Sequence, residues 1–313
     1  MVSTLKAAAA GDQTQQDSPR LKLAVQKSGR LTDPSLDLLS RCGLKLSRGK
    51  DQLIGYGENL PLDVLFVRDD DIPDLVQEDV CDLGLVGLNV LTEKSLQLTA
   101  RGFAPSFRQL RDLDFGRCRL ALAAPDSFHY AGPSTLQGRR IATTYPQALQ
   151  KYLRERGVVA DIVTLSGAVE IAPRLGRADL ICDLVSTGST LAANHLRELD
   201  TVLESHAVLI QTPKPLVPEK AEWVRRLTLR IDGVQQVRES KYIMLHAPRS
   251  ALPTIRQLLP GTEAPTILPL EGATDKVAVH AVCRENVFWE TLENLKQAGA
   301  SALLVLPVEK MLR

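Results

Sequence analysis

The stretch Leu180–Leu191, L-I-C-D-L-V-S-T-G-S-T-L, limits the folds open to this chain more than any other. An apolar run from Leu180 to Val185 carries one embedded carboxylate, Asp183. It breaks into Ser186-Thr187-Gly188-Ser189-Thr190 and turns apolar again at Leu191. That order reads as strand, hydroxyl-rich turn and helix start. Such a turn presents backbone N–H groups and hydroxyls at the positive end of a helix, which is a phosphate site. Asp183, just before the turn, suits hydroxyls or a metal-bound sugar rather than phosphate. Together the two point to a sugar phosphate held at both ends.

The same alternation runs through the chain. Leu21–Val25 reads as a strand, followed by the polar loop Gln26-Lys27-Ser28-Gly29-Arg30 and a helix opened by Asp33-Pro34 and running to about Arg41. Asp63–Val67 is a strand leading into Arg68-Asp69-Asp70-Asp71-Ile72-Pro73, then a short helix to about Glu78. Asp82–Gly87 is a third strand. The pattern restarts at Arg119–Ala123, with strands at Arg140–Thr143 and Asp161–Leu165 and helices opened by Tyr145-Pro146 and spanning Ala168–Leu175. Strands alternating with helices indicate parallel β-α-β units. Asp79–Gly87 and Arg177–Val185 echo one another, as expected if two α/β lobes face one cleft. Pro213, Pro215 and Pro218 mark a linker. Beyond it, after a helix over Glu219–Arg230, come a strand at Tyr242–Leu245, a helix at Ala251–Leu259, strands at Thr266–Leu268 and Lys276–Cys283, a helix at Val287–Ala298 and a strand at Ala302–Leu306. That is the order of a small ferredoxin-like domain.

Composition narrows the chemistry. At 313 residues, 44% hydrophobic and 24% charged, the chain is ordinary globular material with enough length for two or three cores. A net charge of +1 provides no basic field for nucleic acid, and 4% aromatics argue against base stacking. The five cysteines are scattered, with no C-x-x-C, and read as reduced core thiols of a cytoplasmic protein. No apolar run is long enough to span a membrane. Residues 1–20 are expected to be a disordered extension rather than an export signal. There is no G-x-S-x-G, no H-E-x-x-H and no ligand spacing among the five histidines, which favours a reaction driven by electrostatics and positioning. Lys27, Gly29 and Arg30 can meet a polyanion or form a solvated basic loop. Asp69, Asp70 and Asp71 can hold hydroxyls or magnesium, or cap the next helix. Glu170 and Arg174 have the i, i+4 spacing of a pair within one helix.

Taken in order, these pieces resemble ATP phosphoribosyltransferase in its long form. The resemblance rests on Gln26–Leu31, Val67–Pro73, Asp82–Gly87, Arg140–Pro146, Val169–Arg174 and Ile181–Leu191. It continues in Glu239–Pro248 and Leu304–Met311, and so covers about residues 21–313. It implies an α/β fold with two lobes like a type II periplasmic binding protein, lobe I over 21–118 with a return of the chain near 195–213 and lobe II over 119–194. A ferredoxin-like (ACT-like) regulatory domain would follow over 219–313. The implied reaction joins N1 of ATP to C1 of phosphoribosyl pyrophosphate with release of pyrophosphate and with Mg2+, as the first step of histidine biosynthesis. Histidine would inhibit it, and homohexamers would assemble through dimers. A non-catalytic sensor of the same fold is the alternative.

Carried over by position, the resemblance gives Ser186, Thr187, Gly188, Ser189 and Thr190 the 5-phosphate and Asp183 the ribose hydroxyls, with Glu170 and Arg174 supporting that pocket. Gln26, Lys27, Gly29, Arg30, Arg68, Asp69, Asp70, Gly87 and Tyr145 would line the ATP side. Lys27, Arg30, Arg68 and Asp183 would carry catalysis. His246, Thr262, Thr266 and Ala302 would receive histidine. The metal-contacting residues are unassigned. Most phosphoribosyltransferases place two adjacent acids before the T-G-x-T turn. Here Cys182 takes one of those places, which argues against the common Rossmann-like class.

Overall fold

In the computed structural model, which describes residues 19–49, 51–237, 240–259, 264–284 and 289–311, the first apolar run is strand β1 (Leu21–Gln26). Leu23, Ala24 and Val25 are fully buried, so both faces of β1 are covered, as the centre of a parallel sheet requires. There follow α1 (Thr32–Arg41), the edge pair β2 (Leu46–Ser47) and β3 (Ile54–Gly57), β4 (Leu62–Val67), α2 (Ile72–Gln77), β5 (Leu83–Gly87), α3 (Leu88–Ala100) and β6 (Arg108–Asp112). The second series is β7 (Cys118–Pro125), β8 (Arg140–Thr143), α4 (Pro146–Glu155), β9 (Asp161–Thr164), β10 (Leu180–Val185), α5 (Ser189–Ala193), β11 (Leu196–Ser205) and β12 (Ala207–Gln211).

Two sheets result. The first has the order β2-β3-β4-β1-β5-β12-β6, the second β11-β7-β10-β8-β9. In the first, β4, β1 and β5 are parallel neighbours, and β12 then pairs antiparallel with β5. In the second, β9, β8 and β10 are parallel neighbours, and β7 pairs antiparallel with β10. One topology has therefore been used twice. Even the local hydrogen bonding repeats. Asp82, just before β5, donates its N–H to the Lys22 carbonyl and accepts the Lys22 N–H on Oδ2 at 2.8 Å. Asp179, just before β10, makes the same pair of contacts with Arg140, again at 2.8 Å to Oδ2. The echo in the sequence thus aligns Asp82 with Asp179.

The chain leaves the first sheet after β6 and returns at β12. The return comes later than the expected 195–213 segment begins, because β11 (Leu196–Ser205) pairs with β7 in the second sheet. The expected helix over Ala168–Leu175 is also corrected. Only Val169–Ile171 is helical, as a single 3-10 turn entered through a left-handed Ala168 (φ 52°), so Glu170 and Arg174 are not a pair on one α-helix. Helix α3 carries no prediction from the sequence. Leu91 faces the core of the first sheet while Leu96 packs on the core of the second, so the helix lacks the single apolar stripe that periodicity detects.

Helix α6 (Pro218–Gln235) runs from one compact unit, Met1–Val224, into another, Arg225–Arg313. The second unit contains β13 (Ser240–Pro248), α7 (Leu252–Leu258), β14 (Thr266–Leu270), β15 (Ala273–Arg284), α8 (Trp289–Gln297) and β16 (Ser301–Pro307). Its sheet order β14-β15-β13-β16, with every neighbour antiparallel, is the ferredoxin-like arrangement. Ile243, Leu245, Ala247, Ile255 and Leu295 form its core. Residues 1–18 of the expected extension and the expected helix start at Val287 lie outside the described residues. All five cysteines are buried and free, and burial pushes the Cys81 thiol up to about 11. Among the described residues, no helix is long and apolar enough to cross a membrane.

Candidate active site

Open parallel sheets bind ligands beyond the carboxyl ends of their strands, where the strand order reverses. In both sheets the loops at those ends carry the residues singled out above. β1 leads into Lys27–Arg30, β4 into Arg68–Asp71, β8 into Thr144-Tyr145 and β10 into Ser186–Thr190. A cleft of about 460 Å³ joins Arg68, Asp69 and Asp70 from the first sheet to Thr144, Tyr145 and Ser166 from the second, with Glu93 and Lys94 of α3 between them.

Tyr145 is the meeting point. Its hydroxyl accepts a hydrogen bond from Asn89 Nδ2 at 2.8 Å. Burial raises its pKa, the Asn89 hydrogen bond opposes that, and the charges of Asp69 and Asp183 add to the rise against a smaller effect of Arg30. One side chain therefore feels groups from three of the predicted segments. Asp183 is largely buried on β10. Burial holds its carboxyl above the ordinary range, and neighbouring Glu170 adds to the rise, while the Leu184 N–H donates to it at 2.8 Å. A buried carboxylate beside a second acid is poised to receive hydroxyls or a cation. Cys182 points the other way, into the hydrophobic core, with its thiol raised by burial, so it takes no part in the chemistry.

The turn Ser186–Thr190 is exposed apart from a half-buried Gly188, which sits in the left-handed region at φ 81° with open space where a side chain would go. Thr187 Oγ1 and Ser189 Oγ lie 3.1 Å apart, within hydrogen-bond distance of each other. The following helix α5 has only five residues, so hydroxyls and loop N–H groups, more than a long helix dipole, make this turn attractive to an anion. Across the sheet, Arg119 grips Glu198 through two hydrogen bonds of 2.5 and 2.6 Å and reaches the Ser186 carbonyl.

Other predicted residues take distinct places. Gln26 folds over its own loop, its carboxamide oxygen accepting the Leu31 N–H at 2.9 Å. A side chain at Gly29 (φ 132°) would strike that carboxamide at 2.8 Å. Lys27 and Arg30 are exposed. Arg68 is fixed by two 3.0 Å hydrogen bonds to Asp70, and the Asp69 carboxylate accepts the Asp70 N–H. Gly87 is buried because the Asn89 side chain occupies the space a Cβ would need. Glu170 is half-buried and Arg174 exposed; neither lines the cleft around Tyr145.

In the second unit, His246 pairs in register with Ala278 and Ser301, next to Ala302, which adopts φ 49°. Thr266 lies two strands away opposite His280, in a cavity of about 290 Å³ with Tyr242 and Met311. Thr262 lies outside the described residues.

The family profile of ATP phosphoribosyltransferase (HisG) matches residues 68–233, more than half of the chain. The chain belongs to the ATP phosphoribosyltransferase family. The profile of the HisG C-terminal domain matches residues 238–310, as in the long form of the enzyme. The ATP phosphoribosyl transferase (HisG:HisZ) complex from Thermotoga maritima contains a similar chain, with TM-score 0.55 and 28% identity over 68% of this chain and 98% of that one. The alkanesulfonate-binding protein SsuA from Xanthomonas axonopodis pv. citri, bound to MOPS, matches at TM-score 0.45 and 14% identity over 69% of this chain and 74% of its own. The arginine-bound form of truncated ArgBP from T. maritima matches at TM-score 0.43 and 9% identity over 68% and 95%. This phosphoribosyltransferase thus has a catalytic region built on two α/β sheets of one topology, followed by the family's C-terminal domain, and it is a transferase of histidine biosynthesis.

The sequence reading missed Asn89, Glu93 and Lys94, all on the unpredicted α3. Lys94 Nζ meets Asp74 of α2 at 2.6 Å, and Glu93 accepts the N–H groups of Gln147 and Ala148 at 2.9 and 2.8 Å. Polar residues whose partners lie twenty or more positions away leave no local signal.

Proposed function

We propose that phosphoribosyl pyrophosphate and ATP meet between the two lobes. The 5-phosphate lies on Ser186–Thr190, and Asp183 takes the ribose hydroxyls, with Glu170 and Arg174 supporting that side. ATP and the leaving pyrophosphate lie toward Lys27, Arg30, Arg68, Asp69, Asp70 and Tyr145, with Gln26, Gly29 and Gly87 shaping the backbone around them. The observation that carries this reading is the cleft in which Arg68, Asp69 and Asp70 from the first sheet share one lining with Thr144 and Tyr145 from the second.

The chemistry follows from that placement. N1 of the adenine attacks C1 of the ribose as the C1–oxygen bond to pyrophosphate breaks. Positive charge grows on the ribose beside Asp183, and negative charge grows on the pyrophosphate beside Lys27, Arg30 and Arg68. Stabilising both ends of that separation lowers the barrier without a covalent intermediate. Arg68 arrives pre-oriented by Asp70.

Among the described residues there is no group of three or more metal-ligating side chains. Magnesium does not need one, because it is held by one or two carboxylates plus waters and substrate phosphates. Asp183, half-buried and within the influence of Glu170, fits that demand. When bound there, the ion would offset the charge of the pyrophosphate.

The second unit is the candidate receiver of histidine, through His246, Thr266 and Ala302, with Thr262 outside the described residues. Its attachment to the catalytic region makes feedback inhibition the economical reading, together with assembly as a homohexamer through dimers and a place in the cytoplasm. Histidine added to the working enzyme should slow it; an unchanged rate would remove the regulatory assignment.

Thr187→Ala tests the loop. Losing one charge-assisted contact costs about 1.5–3 kcal/mol, so the KM for phosphoribosyl pyrophosphate should rise about 10- to 150-fold, with that for ATP nearly constant. Steady-state kinetics with each substrate varied in turn checks this, and equal KM values in variant and parent would take the phosphate away from this loop.

A further inference from the structure

The first turn of α3 sits at the joint between the lobes. The chain passes between sheets twice, through residues 113–117 and through His206, and these crossings bond to each other where the Leu113 N–H meets the Ala207 carbonyl and the Ala207 N–H meets the Phe115 carbonyl. Helix α3 ties into the second crossing at three points. The Leu88 N–H donates to the His206 carbonyl at 2.8 Å, the Asn89 N–H donates to Ser205 Oγ at 3.0 Å, and Ser205 Oγ donates back to Asn89 Oδ1 at 2.8 Å. The other end of the buried Asn89 side chain holds the Tyr145 hydroxyl.

One turn further along, Glu93 closes the arrangement. Helix α4 begins with Pro146, which has no N–H, and the next two donors, Gln147 and Ala148, both end on the Glu93 carboxylate. A carboxylate at a helix N-terminus satisfies orphan donors and complements the helix dipole. Here the cap comes from a helix whose opposite side is fastened to the first lobe by Leu91 and by the Lys94–Asp74 pair. Asn89 and Glu93 thus bracket Tyr145 and the start of α4 from across the joint.

We propose that Asn89 and Glu93 are positioning residues for the transfer reaction, holding Tyr145 at its place in the cleft from helix α3. The idea rests on the reading that Tyr145 lines a substrate site. It does not depend on which substrate sits there, and the test keeps the two questions apart.

Tyr145→Ala provides the kinetic signature: the KM it raises identifies the substrate beside that ring, expected to be ATP. Glu93→Ala and Asn89→Ala should raise the same KM by about 5- to 30-fold, leave the other within twofold, and lower kcat less than they raise that KM. Glu93→Gln, which keeps one oxygen acceptor for the two N–H groups, should recover most of the loss. If Tyr145→Ala raises the KM for phosphoribosyl pyrophosphate instead, the ATP assignment falls, and the positioning role is judged on that constant. A merely structural role would lower the melting temperature and the active fraction while leaving both KM values alone. That outcome, an equal rise in both KM values, no rescue by Glu93→Gln, or no effect of Tyr145→Ala on either KM overturns the proposal. Should Asn89→Ala fail to fold, the comparison of Glu93→Ala with Glu93→Gln decides it alone.

Discussion

Asp183→Asn should lose activity by roughly a hundred- to a thousand-fold while making the ligand-free protein more heat-stable at neutral pH. The two effects have one cause. Burial raises the Asp183 carboxyl above its ordinary range, and the charge of Glu170 raises it further. The folded state therefore holds that proton more tightly than the unfolded chain does. As pH climbs through the raised value, the folded state must bear a buried negative charge, and stability is lost. Below the ordinary carboxylate range both states keep the proton, and the penalty vanishes. The asparagine variant removes the penalty but also the charge that faces the developing cation on the ribose. Its stability advantage over the parent should be present at neutral pH and shrink to nothing on acidification. Thermal melts across pH, run beside kinetics, measure both. A variant that melts lower than the parent at neutral pH would mean that Asp183 serves the fold rather than the reaction.

The second large effect is expected at Asp82, far from the cleft. Its side chain is 7% exposed and takes the Lys22 N–H together with the Lys220 ammonium, both oxygens at 2.9 Å from Nζ. Removing one partner of a buried pair leaves the other stranded, at a cost of about 3–5 kcal/mol. Asp82→Ala should therefore melt roughly 6–20 °C lower, since about 1 kcal/mol moves a domain of this size by 2–4 °C. Asp179, its counterpart in the second lobe, contacts Arg140 through the same pattern, but there the two side chains are 31% and 47% exposed. Asp179→Ala should cost about 1 kcal/mol or less. Differential scanning calorimetry of the two variants checks the contrast, and equal losses would show that burial is not what sets the size of the effect.

The parallel strands and the loops after them are legible from sequence because burial on both faces demands unbroken apolar runs, and because turns at strand ends need the small polar residues seen at Ser186–Thr190 and Gln26–Arg30. The ferredoxin-like order of the second unit is legible from alternation instead, with Ile243, Leu245 and Ala247 of β13 buried and the residues between them less so. What escapes is whatever depends on contact between distant segments. Helix α3 is hidden because two lobes claim different sides of it. The 3-10 turn at Val169–Ile171 was expected to be a longer helix, since the spacing of Glu170 and Arg174 is equally compatible with either, and only the left-handed Ala168 and the turns after Ile171 decide it. Asp82 is visible as part of a motif, yet its role as a buried anchor needs Lys220, which lies 138 residues away. Gln26 looks like a ligand-facing group and proves to be folded onto its own loop.

The most direct measurement of the central claim is to mix the full chain with ATP, phosphoribosyl pyrophosphate and magnesium and follow the near-UV absorbance of phosphoribosyl-ATP. The cleft described above predicts a rise that requires both substrates and is nearly abolished in Asp183→Asn. No rise with the parent protein, or an equal rise in the two proteins, would contradict it.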